Sequence, residues 1–127
     1  MRINPVHKHW AYVVDEFEYA ILKQNVAMDA LETVDDYESG KMRALTDGFR
    51  AAISKKKDSR FDFFKQPARN KHRALISFLD NRAQEIHADE RHSGAFKAGM
   101  IDMMRNWAVE EKSQITYPKD HGRRKKV

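Results

Sequence analysis

Cysteine is absent from the 127-residue chain, which excludes disulfides and thiolate metal sites. With only 3 Pro and 5 Gly, the chain has too few turn formers for a sheet-rich fold, whereas Ala, Leu, Met, Glu, Lys and Arg are abundant and favour helix. The mean hydropathy is −0.80, and no apolar run is long enough to cross a bilayer. The opening Met1-Arg2-Ile3-Asn4-Pro5 has no apolar stretch of the secretion-signal kind, so the expected location is the cytoplasm. No Gly-rich phosphate loop, Gly-x-Ser-x-Gly elbow or His-Glu-x-x-His motif occurs. What is present is 41% hydrophobic and 34% charged, enough for one modest core. Residues 1–117 are expected to form a single helical domain, with 118–127 as a flexible basic tail.

Hydrophobic spacing supplies the helices. Asn4-Pro5 is a start signal, because Asn caps free N–H groups and Pro at the first helical position gives up a bond it would not make. Trp10, Val14, Phe17, Ile21, Gln24, Met28 and Leu31 then recur in steps of four and three, with Val13, Ala20, Ala27 and Val34 on the flanking stripe. This predicts a first helix running to about residue 38 and closed by Gly40, with Gln24-Asn25 as the one place for a break. Met42, Leu45, Phe49, Ala52 and Ile53 predict a second helix over 41–56. A connection over 57–66 follows, carrying Phe61, Phe63 and Phe64. Pro67 starts a third helix with the face Leu75, Ile76, Leu79, Ala83 and Ile86, running to about Arg91. Ser93 caps a fourth, lined by Phe96, Met100, Met103, Met104 and Trp107 and ending near Lys112. An offset of 54 residues pairs Ser39 with Ser93 and Gly40 with Gly94, which supports an all-α bundle of two antiparallel helical hairpins.

Charge is unevenly spread beneath the net +5. Residues 15–38 hold Asp15, Glu16, Glu18, Asp29, Glu32, Asp35, Asp36 and Glu38 against Lys23 alone. Between residues 55 and 73 the balance reverses, with Lys55, Lys56, Lys57, Arg60, Lys65, Arg69, Lys71 and Arg73 against Asp58 and Asp62. The tail adds Arg123, Arg124, Lys125 and Lys126. Basic clusters interleaved with aromatics suit phosphate backbones, which release counterions on binding, and exposed bases, which stack on rings. Lysines at a helix end also simply complement its dipole and keep a protein soluble, and aromatics beside a helix junction usually bury.

Two resemblances follow from acidic and histidine spacing. Asp15 with Glu18, and Glu32 with Asp35, give carboxylates three apart on a helix, and the chain there resembles MazG-like nucleotide pyrophosphohydrolases. That resemblance implies magnesium held by paired acidic motifs. Arg82-Ala83-Gln84-Glu85-Ile86-His87 resembles the Arg-x4-His motif of HEPN ribonucleases, which implies that the pair acts on an RNA phosphate across a dimer interface. His87, Asp89, Glu90 and His92 cluster near the end of the third helix, but residues five apart on a helix face about 140° away from each other.

The reading that these features favour is a non-enzymatic protein, without cofactor or metal, whose basic surface binds DNA or RNA through non-specific phosphate contacts. In it Lys55, Lys56, Lys57, Arg60, Lys65, Arg69, Lys71 and Arg73 contact phosphates, with Arg123 to Lys126 as an arm ordered on binding. The alternative is a regulatory adaptor or inhibitor of bacterial or phage type. It would bind a protein partner through the acidic first helix or through Met100, Met103, Met104 and Trp107. The broad face of the first helix also suits a homodimer.

Overall fold

The computed structural model describes residues 5–59 and 70–116, which form four α-helices and no strand. Helix α1 spans Pro5–Asp29, α2 Asp36–Ser59, α3 Lys71–Ala88 and α4 Gly94–Thr116. They pack as a small helical bundle of two antiparallel hairpins. In the first hairpin His7 meets Lys56 and Gln24 meets Glu38; in the second His72 meets Glu111 and Lys97 meets Asp89.

The first helix is shorter than its apolar spacing predicts. It stops at Asp29, where the N–H groups of Ala30 and Leu31 close onto the carbonyls of Val26 and Met28. Asp35 is the physical cause of the new start. Its Oδ1 accepts the N–H of Glu38 at 2.9 Å and its carbonyl accepts that of Ser39 at 3.0 Å, which satisfies donors a helix start would leave open. Helix α2 therefore begins at Asp36 instead of 41, and Gly40 lies buried within it instead of terminating α1. There is no break at Gln24-Asn25: Gln24 is buried in α1 and its amide donates to Glu38 Oε1 at 2.9 Å. The third helix starts after Asn70, whose side chain accepts the N–H of Arg73 at 2.9 Å, and it ends at Ala88 instead of 91. The fourth runs one turn beyond Lys112. Pro67 and the Phe61, Phe63 and Phe64 cluster lie outside the described residues.

The core takes the expected faces with local changes. Val13, Phe17 and Ala20 of α1, Ala44, Leu45 and Ala52 of α2, and Leu75, Phe78, Leu79, Ala83 and Ile86 of α3 are buried together with Met100, Met104 and Ala108 of α4. Phe17 sits at its centre, edge-on to Phe78 with ring centroids 5.6 Å apart and tilted against Trp107 at 4.8 Å. Leu31 and Val34, assigned to the apolar face of a longer first helix, are exposed because the chain has already left α1.

Helices α2 and α4 touch backbone to backbone. A Cβ on Gly40 would collide with the carbonyl of Phe96, and a Cβ on Gly99 would collide with the carbonyl of Tyr37. The two contacts are reciprocal, since a single offset of 59 residues relates Tyr37 to Phe96 and Gly40 to Gly99. The two hairpins thus meet by an approximate two-fold, with an offset of 59 in place of the expected 54. Gly94 is needed for its backbone conformation instead, because its φ of 63° lies in the left-handed region, and open space surrounds it. Beside the crossing, the Tyr37 hydroxyl donates to Asp102 Oδ2 at 2.6 Å.

Gly40→Ala or Gly99→Ala should lower the melting temperature, costing about 1–3 kcal/mol or more because the obstacle is backbone. Gly94→Ala, which meets no neighbour, should cost only the left-handed strain of about 1–2 kcal/mol. Thermal unfolding followed by circular dichroism checks the order of the three.

Candidate nucleic-acid interface

The antiparallel hairpins bring the start of α1, the end of α2, the start of α3 and the end of α4 to one end of the bundle. His7 Nδ1 lies 3.1 Å from the carbonyl of Lys56, and the Ser59 hydroxyl donates to the same carbonyl at 2.9 Å. Carbonyls at a helix end lack intrahelical donors, so these contacts finish α2 where Lys55, Lys56 and Lys57 stand. Further into the bundle, Tyr12 meets residues of α3 and α4.

That meeting point is a buried polar cluster. Glu111 is only 6% exposed, and its Oε2 accepts the Tyr12 hydroxyl at 2.7 Å and contacts His72 Nδ1 at 2.6 Å. A carboxylate can only accept, so His72 carries its proton on Nδ1 in this contact. Tyr12 and His72 also meet edge-on at 5.5 Å, and Lys71 Nζ lies 4.7 Å above the Tyr12 ring. Burial, followed by the hydrogen bond and negative charge of Glu111, pushes the Tyr12 phenol far above its ordinary range. Burial and then the same carboxylate raise the Glu16 carboxyl. The cluster fixes the first turn of α3, so the Lys71 and Arg73 backbones are held against α1 and α4. Sequence reading misses it because its members are 39 and 99 residues apart.

At this end of the bundle stand Lys8, Lys55, Lys56, Lys57, Lys71, Arg73 and Lys112, opposed by Glu16, Asp58, Asp80, Glu110 and the buried Glu111. Of the twelve expected phosphate contacts, Lys55, Lys56, Lys57, Lys71 and Arg73 are thereby brought to one end. Arg60, Lys65, Arg69, Arg123, Arg124, Lys125 and Lys126 lie outside the described residues. Two grooves open here, one in each hairpin. The first, about 460 Å³, is lined by His7, Val14, Ile53, Lys56 and Lys57. The second, about 540 Å³, includes Arg73, Asp80, Lys112 and Ile115. The 59-residue offset carries Val14, Ile53 and Lys56 onto Arg73, Lys112 and Ile115, so the grooves are equivalent places in the two hairpins.

The other expected sites are placed elsewhere. Met100 and Met104 are in the core and offer a partner no surface, whereas Met103 and Trp107 are half-buried and line a groove of about 340 Å³ with Lys23, Lys41 and Asp102. Arg82 Nη1 binds Glu85 at 2.8 Å, while its buried Nε has no partner; His87 is exposed in the last turn of α3, away from the basic end. Asp15 and Glu18 lie on α1, but Asp35 caps α2 and Glu32 lies in the loop, about 20 Å along the helix axis from the first pair. Asp89 is engaged by Arg91 at 2.7 Å, which holds its carboxyl well below the usual range, and His92 lies against Phe96. Among the described residues no three His, Asp or Glu side chains are grouped as a metal ion would need, and no helix is long and apolar enough to cross a membrane. No protein-family model matches the chain, and no similar curated protein or solved structure was found.

Glu111→Leu strands two half-buried donors and should destabilise the fold by about 1–3 kcal/mol, with Tyr12→Phe costing about 1–2 kcal/mol. The pH dependence has a definite sign. Because the folded Tyr12 pKa is raised, its contribution is complete below pH 10.0, the ordinary tyrosine value, and declines as pH rises beyond it. Denaturant unfolding between about pH 8 and 11 should show this alkaline loss in the native protein and a smaller one in Tyr12→Phe.

Proposed function

We propose that the chain binds the phosphate backbone of DNA or RNA through the basic end of the bundle, without sequence specificity and without a catalytic step. The observation that carries this reading is the convergence of Lys8, Lys55, Lys56, Lys57, Lys71, Arg73 and Lys112 from four separate helix termini at one end of the bundle, where Lys56, Lys57, Arg73 and Lys112 line two equivalent grooves. Seven cations against five carboxylates leave a net positive local field that attracts a polyanion and orients the bundle toward it.

Lys71 and Arg73 are the rigid part of this surface, because the Tyr12, His72 and Glu111 cluster fixes the turn that bears them. Lys55, Lys56 and Lys57 leave α2 about 100° apart, so they meet phosphates on different sides of the helix end. Arg60, Lys65 and Arg69 between them, and Arg123, Arg124, Lys125 and Lys126 beyond α4, extend the same charge in sequence. Such a role belongs in the cytoplasm, in contact with nucleic acid, and needs no cofactor.

Fluorescence anisotropy with duplex DNA and single-stranded RNA at two salt concentrations tests the proposal. Binding should fall steeply with salt, by about 0.9 log units in affinity per tenfold salt for each phosphate neutralised on duplex DNA. Lys55→Glu/Lys56→Glu/Lys57→Glu should flatten that slope by about three contacts, and Arg73→Glu by about one. Absence of binding at low salt, or an affinity indifferent to these substitutions, would overturn the reading.

A further inference from the structure

An apolar stripe on the outer side of α1 takes no part in the core. Tyr19, Leu22 and Val26 follow one another at helical spacing and are 57%, 59% and 71% exposed. Leu31 and Val34 in the following loop are 44% and 42% exposed, so five of the six exposed large hydrophobics among the described residues fall within one 16-residue stretch. Scattered apolar residues are ordinary on a protein surface, but five gathered in one short stretch mark a place where something docks.

The surroundings of the stripe define what docks. Asp15, Glu18, Asp29, Glu32, Asp35 and Asp36 all lie exposed along it, and Lys23, the cation among them, stands over the Tyr19 ring at 4.9 Å. Two such stripes facing each other would set carboxylate against carboxylate, which disfavours a second copy of α1 as the occupant. A helix with Leu-type side chains on one face and Lys or Arg on both flanks satisfies the stripe and the acids together. The region lies away from the Lys55 to Lys57 and Lys71 to Arg73 surface, so a polyanion there leaves it open.

We propose that the outer face of α1, from Tyr19 to Val26 and continuing to Val34, is a docking site for a basic amphipathic helix of a protein partner. Leu22 and Val26 supply the buried contact, and Glu18, Asp29 and Glu32 pair with the flanking cations. The chain then has two independent surfaces of opposite character, an apolar and acidic one for protein and a basic one for phosphate.

The test uses the full chain and a fluorescein-labelled peptide of Leu and Lys, about 18 residues long and designed as an amphipathic helix. A scrambled peptide of the same composition, without an apolar face, serves as control. The helical peptide should bind in about 0.15 M salt at least tenfold more tightly than the scrambled one. Leu22→Ser/Val26→Ser should weaken binding about tenfold or more with an unchanged melting temperature, since both residues are exposed. Glu18→Gln/Asp29→Asn/Glu32→Gln should weaken it less and flatten its salt dependence. Equal binding of the two peptides, or full binding by Leu22→Ser/Val26→Ser, would overturn the proposal, as would sedimentation showing that the stripe is covered by a second copy. Each result is independent of nucleic-acid binding, which Leu22→Ser/Val26→Ser should leave intact.

Discussion

The close approach of α2 and α4 governs the rest of the bundle. Helix backbones come this near only where side chains are missing, and the reciprocal contacts of Gly40 with Phe96 and Gly99 with Tyr37 use two such places. Once the crossing is set, α1 and α3 can reach each other through Tyr12, Trp10 and Phe17, and the Phe17 ring can lie against Gly48, where a Cβ would collide with it. The Tyr37 to Asp102 hydrogen bond pins the same place from the side. Packing of this kind rewards small residues over bulk, and Ala44, Ala52 and Ala108 of these two helices are fully or almost fully buried.

Much of this is legible in the sequence, and the failures have identifiable causes. The apolar face of α3 is readable at Leu75, Ile76, Leu79, Ala83 and Ile86, because an amphipathic helix against a core leaves a periodic trace. The end of α1 is not, since Leu31 and Val34 continue the periodicity while being exposed, and the capping role of Asp35 is local chemistry that periodicity ignores. Gly40 carries two signals at once. A glycine past an apolar run suggests a helix end, but a glycine inside a helix can instead admit another backbone, and only the position of α4 decides between them.

The functional end divides in the same way. Lysine and arginine clusters are visible in composition, and the fold supplies the reason they stand together, by returning α2 and α3 to the end where α1 begins. The polar cluster beneath them leaves no trace in sequence. Glu111 reads as one more acid on a charged helix, and nothing near it in the chain announces that Tyr12 and His72 share its oxygen. A lone acid becomes structurally decisive only when three helices converge on it, and such convergence is a property of topology. The same topology sorts charge, so that the basic end faces away from the turn between α1 and α2, where Asp29, Glu32, Asp35, Asp36 and Glu38 gather.

The reciprocity of the glycine contacts reaches further than packing. An interface in which Gly40 meets Phe96 as Gly99 meets Tyr37 has the self-complementary form that two identical subunits produce when they pair about a two-fold axis. The grooves at the basic end obey the same offset, so each hairpin brings a comparable surface. In symmetry terms the chain is a pair of helical hairpins about an approximate two-fold, and the halves differ at equivalent positions: Gly48 in one receives an aromatic ring, while its counterpart in the other, Trp107, provides one.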